Sequence, residues 1–198
     1  MKKLTSFIAH SIQFWLGLIL LTAGVGKMFH GHFIGFIGPV WLETELEKYN
    51  LGLYGIFIAL SQLVIGFMLL VKRFATLGAI MAIPMLANIL MITISLEWQG
   101  TPYIVAFLLA CNIYLLIYDF HKIKFLLTDD TTTLREIKLR RKDLQLDVLY
   151  LIGLLLILVA VSLRSLIPDS APNIAYIGLA SFLLIYLYGL WKNRKADQ

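Results

Sequence analysis

The sequence predicts an all-α, polytopic transmembrane helical bundle of six helices: a four-helix core followed by a C-terminal two-helix hairpin. Three observations predict it. The 198 residues are 60% hydrophobic and 15% charged, more apolar than a soluble core of this size requires. Six apolar segments, each near the ~20 residues that cross a bilayer, are separated by polar gaps. Fourteen of the seventeen Lys and Arg residues fall in alternate gaps, the pattern left when positive charge is held on one side of a membrane.

Segment one runs from Thr5 to Phe29. Its Met-Lys-Lys start also fits a signal peptide, with Thr22-Ala23-Gly24 resembling a cleavage site. The run from Ile12 to Phe29 is nearly long enough to span, and five more apolar segments follow, so a retained helix is expected. A loop from His30 to Asn50 comes next, with Gly31, Gly35, Gly38 and Pro39, then Trp41 and an acidic run. Its apolar stretch from Phe33 to Ile37 reads as a cap dipping into the interface or packing on the bundle. Segments two, three and four run from Leu51 to Val71, Ala75 to Leu96, and Pro102 to Phe120. Pro84 removes one helical bond in mid-span, so segment three should bend there. A second long loop, His121 to Asp147, contains Thr133-Leu-Arg-Glu136, a capping box opening a basic helix that rests on anionic headgroups or docks a partner. Segments five and six run from Leu146 to Leu166 and Asn173 to Trp191. The chain thus divides into a four-helix bundle at 1–128, a basic connector at 129–146, and a hairpin with its tail at 147–198.

Lipid offers backbone groups no water, so the spans must be helices, and none shows the alternation of a barrel strand. The basic groups are Lys2 and Lys3, Lys72 and Arg73, Lys122 through Lys142, and Lys192, Arg194 and Lys195. They place both termini in the cytoplasm of a bacterial inner membrane. The net charge of +5 then reflects loops facing anionic lipid, not a nucleic-acid partner. Cys111, the sole cysteine, forms no internal disulfide or CxxC pair and reads as a small buried hydrophobe.

Polar groups inside a membrane are the first place to look for function. Gln13 lies roughly 15 Å in from Lys3, and Gln62 roughly 16 Å in from Arg73, by the helical rise. They are expected to share a level, where they either hydrogen-bond to each other or line a pocket for a small ligand. Asn88 lies one turn past Pro84, and Asn112 on the cytoplasmic half of segment four. Gly78 with Ala82, and Thr22 with Gly26, suit close helix packing. Lys27 is expected near the outer interface, snorkelling or paired with Glu97 or the acidic loop. His30 and His32 follow it, but two histidines alone do not make a metal site. The candidate ligand-binding residues are therefore Gln13, Lys27, His30, Gln62, Asn88 and Asn112, with no metal and no recognisable catalytic set.

The stretch from Gln62 through Gly66, Lys72-Arg73 and Gly78 to Pro84, with Asn88 after it, resembles the DoxX-like membrane family. So do Gly17 through Ala23-Gly24-Val25-Gly26-Lys27, and Asn112-Ile-Tyr114-Leu-Leu-Ile-Tyr118-Asp119. The resemblance covers roughly residues 5–127. It implies a four-helix DoxX-like core and a link to quinone-dependent sulfur oxidation or other redox-associated membrane systems. Many members carry a glutamate where this chain has Gln62, and a neutral amide cannot be the proton acceptor that a glutamate would be. The resulting expectation is an accessory subunit of a redox-associated or envelope-stress system, binding a quinone-like lipid or a membrane or periplasmic protein. The alternatives are a catalytic subunit passing electrons from a periplasmic donor to quinone, and a small-solute transporter. The lack of mid-span charge argues against the transporter.

Overall fold

The computed structural model describes residues 2–29, 42–71, 73–128, 141–163, 166–167 and 170–196. Every regular element among them is an α-helix: α1 (Lys2–Met28), α2 (Leu42–Glu47), α3 (Gly52–Leu70), α4 (Ala75–Ser95), α5 (Thr101–Tyr118), α6 (Phe120–Thr128), α7 (Arg141–Leu163) and α8 (Ala171–Ala196). Five stretches are long and apolar enough to cross a membrane: Leu4–Met28, Gly52–Leu70, Ala75–Ser95, Thr101–Tyr118 and Ala171–Tyr188. This is a multi-pass helical membrane protein. The apolar part of α7, Asp147–Leu163, is shorter. Where six full spans were expected, the described residues hold five and one shorter apolar helix. The expected segment ran from Leu146 to Leu166, and residues 164–165 lie outside the described residues.

Helix α1 is antiparallel to α3, and the two meet backbone to backbone. A methyl group built on Gly24 would lie 2.7 Å from the Ala59 carbonyl oxygen and 2.8 Å from the Leu63 nitrogen. One built on Gly66 would lie 2.8 Å from the Gly17 oxygen and from Leu21 Cα. Small residues are what permit such approach in lipid, where dispersion rather than water exclusion holds helices together. Helix α4 folds back along α3 at Gly78, whose added methyl would be 3.0 Å from the Leu69 nitrogen. Helix α5 starts at a turn through Gly100, at φ +89°, with Pro102 in its first turn, a position where the missing N–H costs nothing. It packs against both α4 and α1 and closes a four-helix ring. One apolar cluster fills that ring, drawing on Leu20, Ile65, Ala82, Leu86 and Leu108 among others.

Helices α7 and α8 form a hairpin that closes tightly at Gly153 and Gly178. It lies on α1 and α3 through a second cluster that includes Leu21, Leu63, Ile157 and Phe182. Phe14 stacks on Tyr186 with centroids 3.8 Å apart, and Phe67 meets Phe182 edge-on at 6.2 Å. The α1–α3 pair is thus covered on one flank by α4 and α5 and on another by the hairpin.

Two loop expectations change. Leu42 and Leu46 are buried, which folds the acidic run into α2, packed on α3. At the other end, the chain turns at Asp119 and resumes as α6. The apolar stretch at 33–37, His30, His32 and the capping box at 133–136 lie outside the described residues.

The antiparallel register gathers the start of α1, the α3–α4 turn, α6, the start of α7 and the end of α8 at one end of the bundle, hereafter the basic end. Three cations fall outside the basic groups. Lys27 is buried, and Arg164 lies outside the described residues. Lys48 pairs with Glu45 at 2.7 Å, and that hydrogen bond holds its ammonium above the usual pKa.

If the α1–α3 seam carries the fold, Gly66→Val should lower stability by about 2–3 kcal/mol, the scale of overpacking. Thermal unfolding of detergent-purified protein measures this. Gly52→Ala should change the midpoint little, because its added methyl meets only the Glu47 side chain.

Candidate functional site

The candidate residues form separate contacts, not one pocket. Lys27 does not snorkel outward. Its Nζ donates to Gln62 Oε1 at 2.8 Å and lies 3.5 Å from the Ala23 carbonyl oxygen. The residue is only 3% exposed. A helical side chain leans toward its own N-terminus. Lys27, in the last turn of α1, therefore reaches back one turn into the seam and meets α3 there. Lys27 therefore lies inside the bundle, with the Gln62 amide among its partners.

Gln13 and Gln62 do not pair. Gln13 Nε2 donates to the Leu69 carbonyl oxygen at 2.7 Å, seven residues along α3 from Gln62, or roughly 10 Å by the helical rise. The glycine contacts fix this register, and it places Gln13 near the basic end and Gln62 deeper. Equal depth counted from two loop ends did not put the amides opposite each other, since the two helices start at different heights.

Gln13 instead joins a cleft of about 350 Å³ between α1, α4 and α5 at the basic end. Its apolar lining comes from Ala9, Ala75, Ala79 and Leu115, and its polar lining from His10, Gln13, Tyr118, Asp119, His121 and Lys122. Asp119 is fixed from two sides: Thr76 Oγ1 donates to Oδ2 at 2.6 Å, and Lys122 Nζ donates to Oδ1 at 2.7 Å. His10 Nδ1 donates to the Ser6 carbonyl oxygen at 2.6 Å. A carbonyl only accepts, so the proton of the neutral ring sits on Nδ1 and Nε2 carries the lone pair.

Asn112 lies just above this cleft on α5, wholly buried. Its Nδ2 donates to the Ala79 carbonyl oxygen at 2.8 Å, while Oδ1 is buried with no hydrogen-bond partner. Asn88 stands apart, accepting from the Tyr54 hydroxyl beside an open apolar groove lined by Leu46, Tyr49, Pro84 and Met91. His30 lies outside the described residues.

His10, Tyr118, Asp119, His121 and Lys122 were missed in the sequence. All but His10 sit at helix ends, where polar residues are ordinary. Only the packing of α1 between α3 and α5 shows that they face one space. The i, i+3 spacing of His10 and Gln13, which puts them on one face of α1, was the available signal.

Among the described residues, no three His, Cys, Asp or Glu side chains gather as metal ligands. Comparisons with protein-family models, curated proteins and solved structures return no match. The arrangement can do two things chemically. It can hold a buried cation at Gln62, and it can receive a polar group with an apolar attachment at the basic end.

A double-mutant cycle tests the Lys27–Gln62 contact. Gln62→Leu should cost about 1 kcal/mol more with Lys27 present than in a Lys27→Met background, in the range of hydrogen bonds inside membranes. Equal costs would mean the two side chains are not coupled. Asn112→Leu should leave stability unchanged or raised, because it removes a buried oxygen that has no donor.

Proposed function

We propose that this chain is a DoxX-like protein of the bacterial inner membrane, an accessory subunit of a redox-associated or envelope-stress system that holds a quinone-like lipid. In this reading both termini are cytoplasmic and the basic end faces the cytosol. The clustering of cationic segments at that end supports this orientation, as does the burial or pairing of Lys27 and Lys48.

One observation carries the ligand assignment: the cleft between α1, α4 and α5. Its volume falls in the range of small-molecule sites. It sits where helices end and headgroups begin, so a polar head can enter while its tail stays in lipid. Its lining combines hydrogen-bonding groups with small apolar residues, which suits a planar head carrying oxygen atoms. The role is binding, not turnover. Gln62, at the place where the resembling family often has glutamate, has its carbonyl oxygen engaged by Lys27, and the carboxylate of Asp119 is held by Thr76 and Lys122. The inward Lys27 also weakens the reading in which that cation attracts an anionic donor at the outer face.

The protein purified in mild detergent should carry extractable quinone, quantified by absorbance and mass spectrometry. Ala9→Phe, which fills the cleft, should cut the quinone to protein ratio about tenfold. Phe107→Leu, on an exposed face of α5, should leave it unchanged. Equal quinone in all three proteins, each monodisperse, would sink the assignment.

A further inference from the structure

We propose that the basic-end cleft selects an uncharged amphiphile whose head carries a hydroxyl group, and that His10 Nε2 is the atom that accepts that hydroxyl's hydrogen bond. This rests on reading the cleft as a lipid site and goes on to specify the head that it takes.

Charge is the first argument. Asp119 and Lys122 neutralise each other within the lining, at 2.7 Å, so the cleft presents no unpaired carboxylate and no unpaired ammonium among its described residues. An anionic phospholipid head would find its strongest cation already engaged. An uncharged head loses nothing there.

Hydrogen-bond polarity is the second. Ser6 fixes the His10 tautomer through Nδ1, which leaves Nε2 as the ring's acceptor. Nε2 has no partner among the described residues. Gln13 spends an N–H on Leu69, and its Oε1 remains a second acceptor. The Tyr118 hydroxyl and the His121 ring also line the cleft and make no hydrogen bond among the described residues. Acceptors on α1 therefore share the cleft with a hydroxyl from the end of α5 and an imidazole from the start of α6. A head group that both donates and accepts matches both walls, and a hydroxyl is the smallest such group. A head with carbonyl oxygens alone satisfies the α5 side and leaves His10 Nε2 unmatched.

Two kinds of membrane molecule share that chemistry: phenolic heads, as in a reduced quinone, and aliphatic lipid alcohols. Both would lay their apolar part against Ala75, Ala79 and Leu115, and the test separates the two.

Native mass spectrometry of the whole chain, with a long-chain alkylphenol, its methyl ether, a long-chain alkanol and phosphatidylglycerol as probes, decides the matter. The alkylphenol should bind roughly five- to tenfold more tightly than its methyl ether, the equilibrium value of one hydrogen bond. Alkanol binding equal to that of the phenol assigns the site to lipid alcohols; weaker alkanol binding assigns it to phenols. His10→Ala should bring phenol and ether to parity. His10→Gln, which restores an acceptor oxygen, should recover part of the preference. His10 is exposed, so these variants should fold. Phenol and ether binding equally to the unaltered chain would overturn the selectivity while sparing the cleft as a lipid site. Phosphatidylglycerol displacing the phenol would overturn the uncharged-head assignment. Binding of none of the four probes would overturn both this inference and the reading on which it rests.

Discussion

Backbone contact between α1 and α3 sets the geometry of everything else in this protein. In lipid, two apolar helices gain nothing by hiding from their solvent, since the solvent is as apolar as they are. They stay together by packing density, which rises steeply as the backbones approach. Gly24 opposite Ala59 and Leu63, and Gly66 opposite Gly17 and Leu21, bring these two helices to their closest distance. The same contacts fix the register, because a slide of one turn would set larger side chains against backbone. Once that register is set, α4 follows through Gly78, and α5 completes the ring.

The register also decides which polar groups meet. Lys27 finds Gln62 because α1 ends where α3 presents that amide, and because helical side chains lean backward. Gln13 finds a carbonyl rather than a side chain. The two contacts have different characters. The first is sealed within the bundle, where a cation is expensive unless it is solvated by protein groups. The second is at the edge of a cleft, where Gln13 still has an oxygen to offer. Function is better sought at the second, since a ligand can arrive there without opening the helix pair.

The hairpin of α7 and α8 belongs to the same logic. It adds aromatic contact at Phe14 and Phe67 on a flank of the central pair. Among the described residues it contributes nothing to the lining of the cleft between α1, α4 and α5. The hairpin's aromatic contacts and the cleft therefore occupy different sides of the α1–α3 pair. Substitutions in the hairpin should act on stability before they act on the cleft.

Composition and charge spacing by themselves determined the solvent of this protein, its helical class and the clustering of its cations. These are one-dimensional properties: a run of apolar residues must leave water wherever it lies in the chain, and Lys and Arg follow the gaps. The close packing at Gly78 was legible for the same reason, since small residues recur there at helical spacing. Only the tertiary structure decided that Lys27 turns inward, that Gln13 and Gln62 are not partners, and that His10 shares a space with Tyr118, Asp119 and His121. Those facts depend on helix rotation and relative height. A near-uniform apolar sequence records neither, since every face of such a helix is acceptable to lipid, and the choice falls to a few glycines whose opposing backbones appear only when the helices are placed side by side.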